Sequence, residues 1–329
     1  MAFKDIPGHK GIKRILHLAL ERGRVPNSLV FGGPEGVGKT AMALNLAKAL
    51  NCANMTTDAC GECPSCRAVD AGSHPDVMVV AAERQDIKIE QTRLLKQMAY
   101  LRPMMGKRRV FIIGGAENLN DASANSLLKV LEEPPAYCHV ILVTPSPFLL
   151  LPTIRSRCRV LAFSAIGREE IEEILIEKDF SREQARILAL LVGGNLDRAQ
   201  ELEWDDVRAL KDEAWELFEA LVSADRSGRF LDRFGTMPKA VQEEFGRVLE
   251  VLSSFVRDIL LLRLGGDPAL LLNPDLEAKL REAASAWDVR QVLGVLEELD
   301  FVLVQLDRNL NKGLLATTFF SNFRELRHV

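Results

Sequence analysis

A glycine-rich segment constrains the fold of this chain more than any other feature of its sequence. It matches the pattern G-x-x-x-x-G-K-[ST] at every fixed position, in the run Gly33, Pro34, Glu35, Gly36, Val37, Gly38, Lys39 and Thr40. The apolar residues 28–31 before it predict a buried strand, and residues 41–50 after it predict a helix. A strand, a loop of this pattern and a helix form a phosphate-binding loop. A fortuitous glycine-rich turn is the alternative, and the flanking elements argue against it.

Each residue type in the phosphate-binding loop has a role in binding a nucleotide. The glycines let backbone N–H groups approach phosphate oxygens, and the helix N-terminus adds partial positive charge. We expect Lys39 to reach the β- and γ-phosphates and Thr40 to ligate Mg²⁺. ATP or ADP with Mg²⁺ is therefore the expected ligand of this loop.

The first half of the chain alternates strands with helices. Apolar runs at residues 77–80, 110–113 and 140–143 predict three more strands, and residues 89–101 and 126–133 predict helices. This alternation is typical of an α/β fold, in which helices cover both faces of a parallel sheet. The expected class is an α/β P-loop domain followed by helical domains.

The pattern changes after residue 163, where nearly every segment is amphipathic with helical spacing. Residues 167–178 and 181–192 predict two short helices, and residues 207–223, 238–264 and 286–311 predict long ones. The expected domains are residues 1–163 for nucleotide binding, 164–204 for a small helical lid, and 205–329 for an all-helical C-terminal domain.

The strand expected at residues 110–113 lacks the acidic residue that P-loop hydrolases use to hold Mg²⁺. Gly114 and Gly115 follow this strand directly, and Glu117 comes four residues after its end. We therefore expect the chain to bind nucleotide and to hydrolyse it weakly or not at all.

Four cysteines lie close together in the pattern C-x7-C-x2-C-x2-C. They are Cys52, Cys60, Cys63 and Cys66. Four thiolates at this spacing are typical of a structural zinc site, since zinc prefers tetrahedral sulfur ligands. An iron–sulfur cluster and unliganded thiols are the alternatives, and the Asp at position 70 disfavours the first because it stands where a ferredoxin-type run has a further cysteine. We expect zinc, held by a module that spans residues 52–66.

Three arginines occur within five residues beyond the fourth predicted strand. Arg155, Arg157 and Arg159 have no acidic residue beside them in the sequence. Such a group contacts phosphate in some proteins, including a phosphate bound to a neighbouring subunit. A solvated basic turn is the other interpretation, and the residues alone leave both open.

Charge and hydropathy exclude several classes of protein. Residues 1–165 hold 21 Lys and Arg against 14 Asp and Glu, whereas residues 166–329 hold 21 against 32. A basic half is consistent with an anionic ligand, but aromatic residues form only 6% of the chain, which leaves few for stacking on nucleic-acid bases. No apolar run approaches the length of a membrane span, and the first residues contain no apolar signal core. We expect a cytoplasmic protein with no membrane partner.

Taken together, these motifs resemble the clamp-loader ATPase family of the AAA+ class. The resemblance is carried by the phosphate-binding loop, by the cysteine module with residues 71–76 after it, by residues 125–135, and by Ser156, Arg157 and Cys158. It implies that Arg157 is an arginine finger offered in trans to ATP in an adjacent subunit. It also implies that Thr144 occupies the sensor-1 position and that the C-terminal helices join an oligomeric collar.

Within that family the chain is similar to the delta-prime type of DNA polymerase III subunit. A catalytically active gamma/tau-type ATPase is the alternative, but the gamma/tau type keeps acidic residues where Gly114 and Gly115 stand here. The resemblance implies a ring with gamma/tau and delta subunits that loads a sliding clamp on primed DNA. Contact with the clamp and with DNA is then expected through the assembled complex.

Overall fold

The computed structural model describes residues 2–54, 57–81, 86–201, 203–222 and 239–306, together with 315, 317–319 and 321–323. The chain forms two compact units. One comprises Met1–Ile171 and Gly193–Gln200, and the other comprises Glu172–Val192 and Glu201–Val329. The domain boundaries expected at residues 163 and 204 remain predictions.

The first unit contains a five-stranded sheet in which every pair of neighbouring strands is parallel. The strand order is β2-β3-β4-β1-β5. The strands are β1 (Ser28–Gly32), β2 (Val77–Val80), β3 (Arg109–Gly114), β4 (Cys138–Thr144) and β5 (Arg159–Ala162). This arrangement places β1, which leads into the phosphate-binding loop, between β4 and β5.

Helices account for most of the remaining described residues. Those that precede residue 180 are α1 (Lys10–Glu21), α2 (Lys39–Asn51), α3 (Pro64–Asp70), α4 (Ile89–Ala99), α5 (Asp121–Glu132), α6 (Pro152–Arg155) and α7 (Arg168–Ile176). Those that follow are α8 (Arg182–Leu191), α9 (Leu196–Glu201), α10 (Trp204–Val222), α11 (Lys239–Arg263), α12 (Glu277–Ala286) and α13 (Val289–Leu306).

The sheet separates two apolar cores, one on each of its faces. One core packs α1 and α2 against strand residues that include Phe31 and Ile112. The other packs α4 and α5 against Val30 and Phe111, the neighbours of those residues in the same strands. Because successive strand residues point to opposite faces and both faces are covered, the central strands are continuous apolar runs. The predicted α/β class is confirmed.

Every regular element among the described residues of the second unit is a helix, as the sequence predicts. Aromatic rings join its helices: the Trp215 ring on α10 lies 5.6 Å from that of Phe255 on α11, between centroids. The buried carboxylate of Asp258 accepts hydrogen bonds from the backbone N–H groups of Leu272 and Asn273, at 3.0 and 2.8 Å. This carboxylate holds the segment after α11 against the helix.

The structure contains every strand and helix that the sequence predicts, several of them with different ends. It adds elements that the sequence analysis does not predict, among them the helices α1, α3, α6 and α12. Strand β5 is also added; it begins at Arg159, in the arginine motif for which a phosphate contact and a basic turn were both open. Helix α5 begins five residues before the predicted start, where the Asn120 side chain accepts the N–H of Ser123 and caps it. The predicted ends at residues 223, 238 and 307–311 lie outside the described residues. Within the described part of the chain, no helix is long and apolar enough to cross a membrane.

Candidate nucleotide site, cysteine cluster and arginine motif

The phosphate-binding loop, residues 33–40, joins β1 to α2, and two of its glycines have left-handed backbone conformations. Gly36 has φ of 65° and Gly38 has φ of 88°, values that residues with a side chain rarely adopt. A Cβ on Gly36 would lie 1.7 Å from Oδ1 of Asn195, so any other residue at this position would displace the Asn195 side chain. The carbonyl oxygen of Gly36 also accepts the N–H of Leu196 at 2.6 Å, which fixes the loop against the start of α9.

Lys39 begins α2, and its side chain is buried within the loop. Its Nζ donates to the carbonyl oxygen of Gly33 at 2.6 Å and to that of Pro34. Burial lowers the pKa of Lys39, while the negative charges of Glu35, Glu117 and Asp197 oppose that shift. An ammonium group surrounded by loop carbonyls lies where phosphates bind in a P-loop, so the predicted role of Lys39 fits the geometry.

A cavity of about 260 Å³ opens beside the loop at the carboxyl end of the sheet. Its lining includes Glu35, Gly36, Gly38, Lys39, Thr40, Ala41, Gly115, Glu117, Val143, Thr144, Pro145 and Asp197. Ligands of open parallel sheets bind at this end of the strands. The residues present therefore fit a nucleotide with its Mg²⁺, with Thr40 as the hydroxyl ligand that the motif predicts.

Thr144 ends β4 and lines the same cavity. It is buried, and its Oγ1 donates to the carbonyl oxygen of Ser146 at 3.0 Å. This bond shapes the turn that carries the chain from β4 into the segment before α6. The sensor role implied for Thr144 stays a prediction, with its position beside the loop in agreement.

Glu117 lies in the cavity. The sequence did not predict this position, because Glu117 does not follow β3 directly. Gly115 has φ of 65° and precedes a single 3₁₀ turn, Ala116–Asn118, which brings the Glu117 side chain back to the loop. No carboxylate follows β3 directly, as the sequence shows. A carboxylate is nevertheless present in the site.

His9 is a loop contact that the sequence did not reveal. This residue caps α1 in a left-handed conformation with φ of 54°, and its Nε2 lies 2.8 Å from the carbonyl oxygen of Val37 in the phosphate-binding loop. Its ring packs edge-on against Phe163, 4.7 Å between centroids. Burial lowers the pKa of His9. A histidine between Gly8 and Lys10 has no sequence signature for such a contact, because the contact spans 28 residues.

The cysteine cluster, Cys52, Cys60, Cys63 and Cys66, is assembled from the end of α2 and the start of α3. Its four Sγ atoms all lie within 4.8 Å of one another. Tetrahedral zinc with bonds of about 2.3 Å requires sulfurs about 3.8 Å apart, and Cys60 Sγ lies 4.0 Å from Cys66 Sγ. The donor set and its spacing therefore fit one zinc ion.

Hydrogen bonds favour the thiolate form at one of these cysteines. Burial acts to raise the pKa of Cys63, but bonds with the backbone at Ala53 and Cys66 outweigh it and lower the pKa to about 6. Burial raises the pKa of Cys66, beside its neighbouring thiols, to about 12. A zinc ion held among the four sulfurs would favour the thiolate form at all of them, because a cation deprotonates the thiols that coordinate it.

Polar contacts bind the cysteine module to α2. The carboxylate of Asp58 accepts the Nδ2 of Asn45 at 3.0 Å and the N–H of Phe3 at 3.1 Å. Lys48, whose side chain is buried, donates to Asp70 at 2.8 Å. Because α2 begins at Lys39, one helix connects the phosphate-binding loop to the cysteine cluster.

The segment after the cysteine module forms a chain of polar contacts. Ser65 Oγ lies 2.9 Å from His74 Nε2, and His74 Nδ1 accepts the N–H of Asp76 at 3.0 Å. The buried Asp76 carboxylate pairs with Arg109 at 2.9 Å and accepts three backbone N–H groups, from residues 104, 105 and 106. The family motif at residues 71–76 is therefore explained by structure: it ties the cysteine module to the start of β3.

Arg157 lies on the surface just before β5, in the segment that follows α6. Its Nε donates to Glu132 Oε1 at 2.6 Å, and its Nη1 donates to the carbonyl oxygen of Thr153 at 2.8 Å. About a third of the side chain remains exposed. Arg155 instead stacks over the Phe148 ring, 5.0 Å from its centroid. Arg155 and Arg157 therefore have different surroundings, and Arg157 is held by a carboxylate.

Comparison with known proteins finds similarity to subunits of DNA polymerase III. A family model described as "DNA polymerase III, delta subunit" matches residues 8–167. The delta' subunit of DNA polymerase III from Bacillus subtilis is 30% identical over 293 residues, which are 87% of this chain and 88% of that protein. The tau subunit from Escherichia coli is 36% identical over 217 residues, 64% of this chain and 33% of that longer protein. A gamma-subunit-related protein of known structure from Thermotoga maritima aligns over 97% of this chain and 99% of its own, with 18% identity and a TM-score of 0.41.

Proposed function

Because this chain belongs to the clamp-loader subunit family of DNA polymerase III, we propose that it is a subunit of the delta-prime type. In this role it helps the ATP-dependent loading of a sliding clamp on primed DNA. The observation that carries the proposal is the contrast between the chain's own nucleotide site and Arg157. The chain's own site has Gly114 and Gly115 where a hydrolase needs acids, while Arg157 lies exposed on the surface.

Arg157 acts on the ATP of a neighbouring subunit in this proposal. Its guanidinium is fixed by Glu132 and Thr153, so it is oriented before a partner arrives. An arginine that reaches a γ-phosphate from outside stabilises the charge that develops on the transferred group.

The chain's own site binds ATP or ADP with Mg²⁺ and turns it over slowly. Lys39 and the loop N–H groups hold the phosphates, and Thr40 holds the metal. No carboxylate directly after β3 is available to orient an attacking water. Bound nucleotide then serves to fix the relation between the loop and α9, through the contact of Gly36 with Leu196.

The cysteine cluster holds one structural zinc ion in the proposed subunit. Four sulfurs leave no open coordination position, so the metal supports folding and takes no part in a reaction. Its module is bound to α2 through Asp58 and through Lys48 with Asp70. The zinc module therefore stabilises the same helix that begins at the phosphate-binding loop.

The partners in this proposal are gamma/tau and delta subunits, joined with this chain in one ring. Residues 205–329 form the collar that holds the ring together, residues 164–204 form the lid, and residues 1–163 form the nucleotide-binding domain. The sliding clamp and primed DNA are then contacted by the assembled ring rather than by this chain alone.

The experiment mixes the chain with gamma/tau and delta subunits and measures complex formation and DNA-stimulated ATPase together. Arg157→Ala is expected to lower kcat about a thousandfold with assembly intact, the effect of removing an arginine finger. Arg159→Ala is the matched control, since Arg159 is also exposed and lies two residues away. Equal ATPase in the Arg157→Ala and unsubstituted complexes would overturn the role of this arginine. Failure to form any complex would overturn the subunit assignment.

A gamma/tau-type ATPase is the second candidate, because the phosphate-binding loop is intact and Glu117 lies in its cavity. It predicts that the purified chain hydrolyses ATP by itself at a steady rate and loses that activity on Lys39→Ala. The delta-prime assignment predicts at most a trace rate for the same preparation.

A further inference from the structure

Glu117 is half-buried in the nucleotide cavity, with one carboxylate oxygen closed off from solvent. Its Oε2 is inaccessible to solvent and has no hydrogen-bond partner among the described residues. A buried polar atom in this state destabilises the fold, because it has lost its water without gaining another partner. Such an atom in a ligand cavity calls for a group that binds there.

The surroundings of Glu117 show what that group is. The cavity also contains Lys39 and the hydroxyl-bearing Thr40, which the loop motif assigns to phosphate and to Mg²⁺. Glu117 is close enough to Lys39 for its charge to act on that ammonium. Mg²⁺ in nucleotide sites is held by one or two protein carboxylates in addition to phosphate oxygens, and the position directly after β3 offers none.

Gly115 gives the backbone the turn that returns Glu117 to the cavity. Its φ of 65° lies in the left-handed region, which residues with a side chain rarely adopt. A Cβ built on Gly115 would lie 3.0 Å from Asn118 Nδ2, a tight contact, and 3.8 Å from Glu117 Oε1, an ordinary one. The glycine is therefore required by the conformation of the turn and not by the volume of the Glu117 side chain.

We propose that Glu117 is the carboxylate that binds the Mg²⁺ of a nucleoside diphosphate or triphosphate in this chain. This proposal rests on the nucleotide binding proposed above. It replaces an acid at the end of β3 by one displaced along the sequence and returned by the 3₁₀ turn. Its role is to bind the metal, and no role in activating water is assigned to it.

The other cavity carboxylates differ from Glu117 in exposure. Glu35 and Asp197 also line the cavity, but both are exposed to solvent. Water already satisfies an exposed carboxylate, so a metal gains less there than at the buried oxygen of Glu117. Asp197 is therefore the rival that the experiment must exclude.

The test measures the affinity of the full-length chain for fluorescently labelled ADP, in excess Mg²⁺ and in EDTA. Mg²⁺ tightens binding to the unsubstituted chain. Glu117→Gln is expected to reduce that Mg²⁺-dependent gain about tenfold, the loss typical of removing a group that supports a bound metal. In EDTA the same variant binds ADP equally or more tightly, because a negative charge beside the phosphates has been removed.

A loss of affinity confined to the Mg²⁺ condition separates the proposal from misfolding, which weakens binding in both conditions. A second readout is the electron paramagnetic resonance signal of Mn²⁺ titrated into the chain with ADP, where Glu117→Gln lowers the Mn²⁺ affinity. Loss of Mg²⁺ dependence in Asp197→Asn, with Glu117→Gln unchanged, would overturn the assignment. Absence of any ADP binding by the unsubstituted chain would overturn the proposed nucleotide site itself, which is a different failure.

Discussion

The Nε of Arg157 donates to Oε1 of Glu132 across 2.6 Å, joining the segment before β5 to the last residue of α5. The two residues are 25 positions apart, and each is partly exposed. An ion pair at this exposure contributes at most about 1 kcal/mol to stability. Its consequence is therefore orientation of the guanidinium more than stability of the fold.

Glu132→Gln is expected to lower the DNA-stimulated ATPase of the reconstituted complex about tenfold, far less than Arg157→Ala, because Arg157 keeps its charge and loses one orienting partner. The free energy of unfolding of the isolated chain should change by less than about 1 kcal/mol. ATPase assays and urea titrations of the same preparations check both statements. An unchanged ATPase would show that Glu132 does not position Arg157.

The cysteine cluster predicts one zinc ion per chain. Elemental analysis of the purified protein should give a ratio of one, and Cys60→Ser should lower both the bound zinc and the stability, since a closed thiolate site contributes binding energy to folding. Cys158→Ser is the control, because burial raises the pKa of that thiol to about 12 and it lies outside the cluster. Cobalt substitution offers a separate check: a tetrahedral thiolate spectrum excludes an iron–sulfur cluster, whereas labile iron and sulfide would contradict zinc.

The buried pair of Asp76 and Arg109 predicts a large loss of stability when one partner is removed. Asp76→Asn leaves a guanidinium without its carboxylate, and both side chains are almost fully inaccessible. The expected cost is about 3–5 kcal/mol. Glu277→Gln is the matched control, because Glu277 pairs with Arg281 on the surface and loss of such a pair costs about 0.5 kcal/mol. Equal effects in urea titrations would contradict this account of the 71–76 motif.

His139 predicts a fall in stability on acidification. Its pKa is lowered from the ordinary value of 6.5, chiefly by burial, so the native state holds it neutral. As pH falls below 6.5, the unfolded state takes up the proton first, and the free energy of unfolding decreases. Above that pH its contribution is fully present.

Urea titrations between pH 7.5 and 5.5 measure this dependence. His139→Asn is expected to flatten the dependence of unfolding free energy on pH, because an amide does not titrate in this range. The amide can still donate to the Pro26 carbonyl oxygen, which the His139 Nδ1 faces at 3.1 Å. His17→Asn, a substitution of an exposed residue on α1, should leave the slope unchanged. Since His9 and His74 also have lowered pKa values, part of the slope should persist in the first variant. A slope that His139→Asn does not alter would contradict the assignment.

Local patterns made the sheet and the cysteine cluster predictable. The central strands are buried on both faces, so their apolar runs are unbroken, and β1 leads directly into a loop with fixed glycines. The four cysteines lie within 15 residues, so their spacing alone brings them together. Strand β5 escaped prediction because it lies at the edge of the sheet, is only partly buried, and begins at Arg159.

Contacts between distant residues could not be predicted in the same way. The return of Glu117 to the cavity depends on the turn at Gly115, whose conformation has no signature beyond the glycine itself. The contact of His9 with Val37 and the pairing of Asp76 with Arg109 join separate elements through single hydrogen bonds. Pairs of this kind leave no periodicity in the sequence, since periodicity records burial on a face and not the identity of a partner.

Two glycines with opposite surroundings give the last prediction. Gly36→Ala places a Cβ 1.7 Å from Asn195 Oδ1 at a φ of 65°, so the free energy of unfolding should fall by about 1–2 kcal/mol, the cost of a side chain in the left-handed region. Affinity for labelled ADP should fall with it, because the loop must move away from α9.

Gly11→Ala is the control. Gly11 lies within α1 with nothing within 4 Å of the new Cβ among the described residues, and alanine there should raise stability by about 0.5–1 kcal/mol. Urea titrations and ADP binding on both variants separate the effects. Normal ADP affinity in Gly36→Ala would show that the contact between the loop and α9 is dispensable for binding, and would remove the structural role proposed for bound nucleotide.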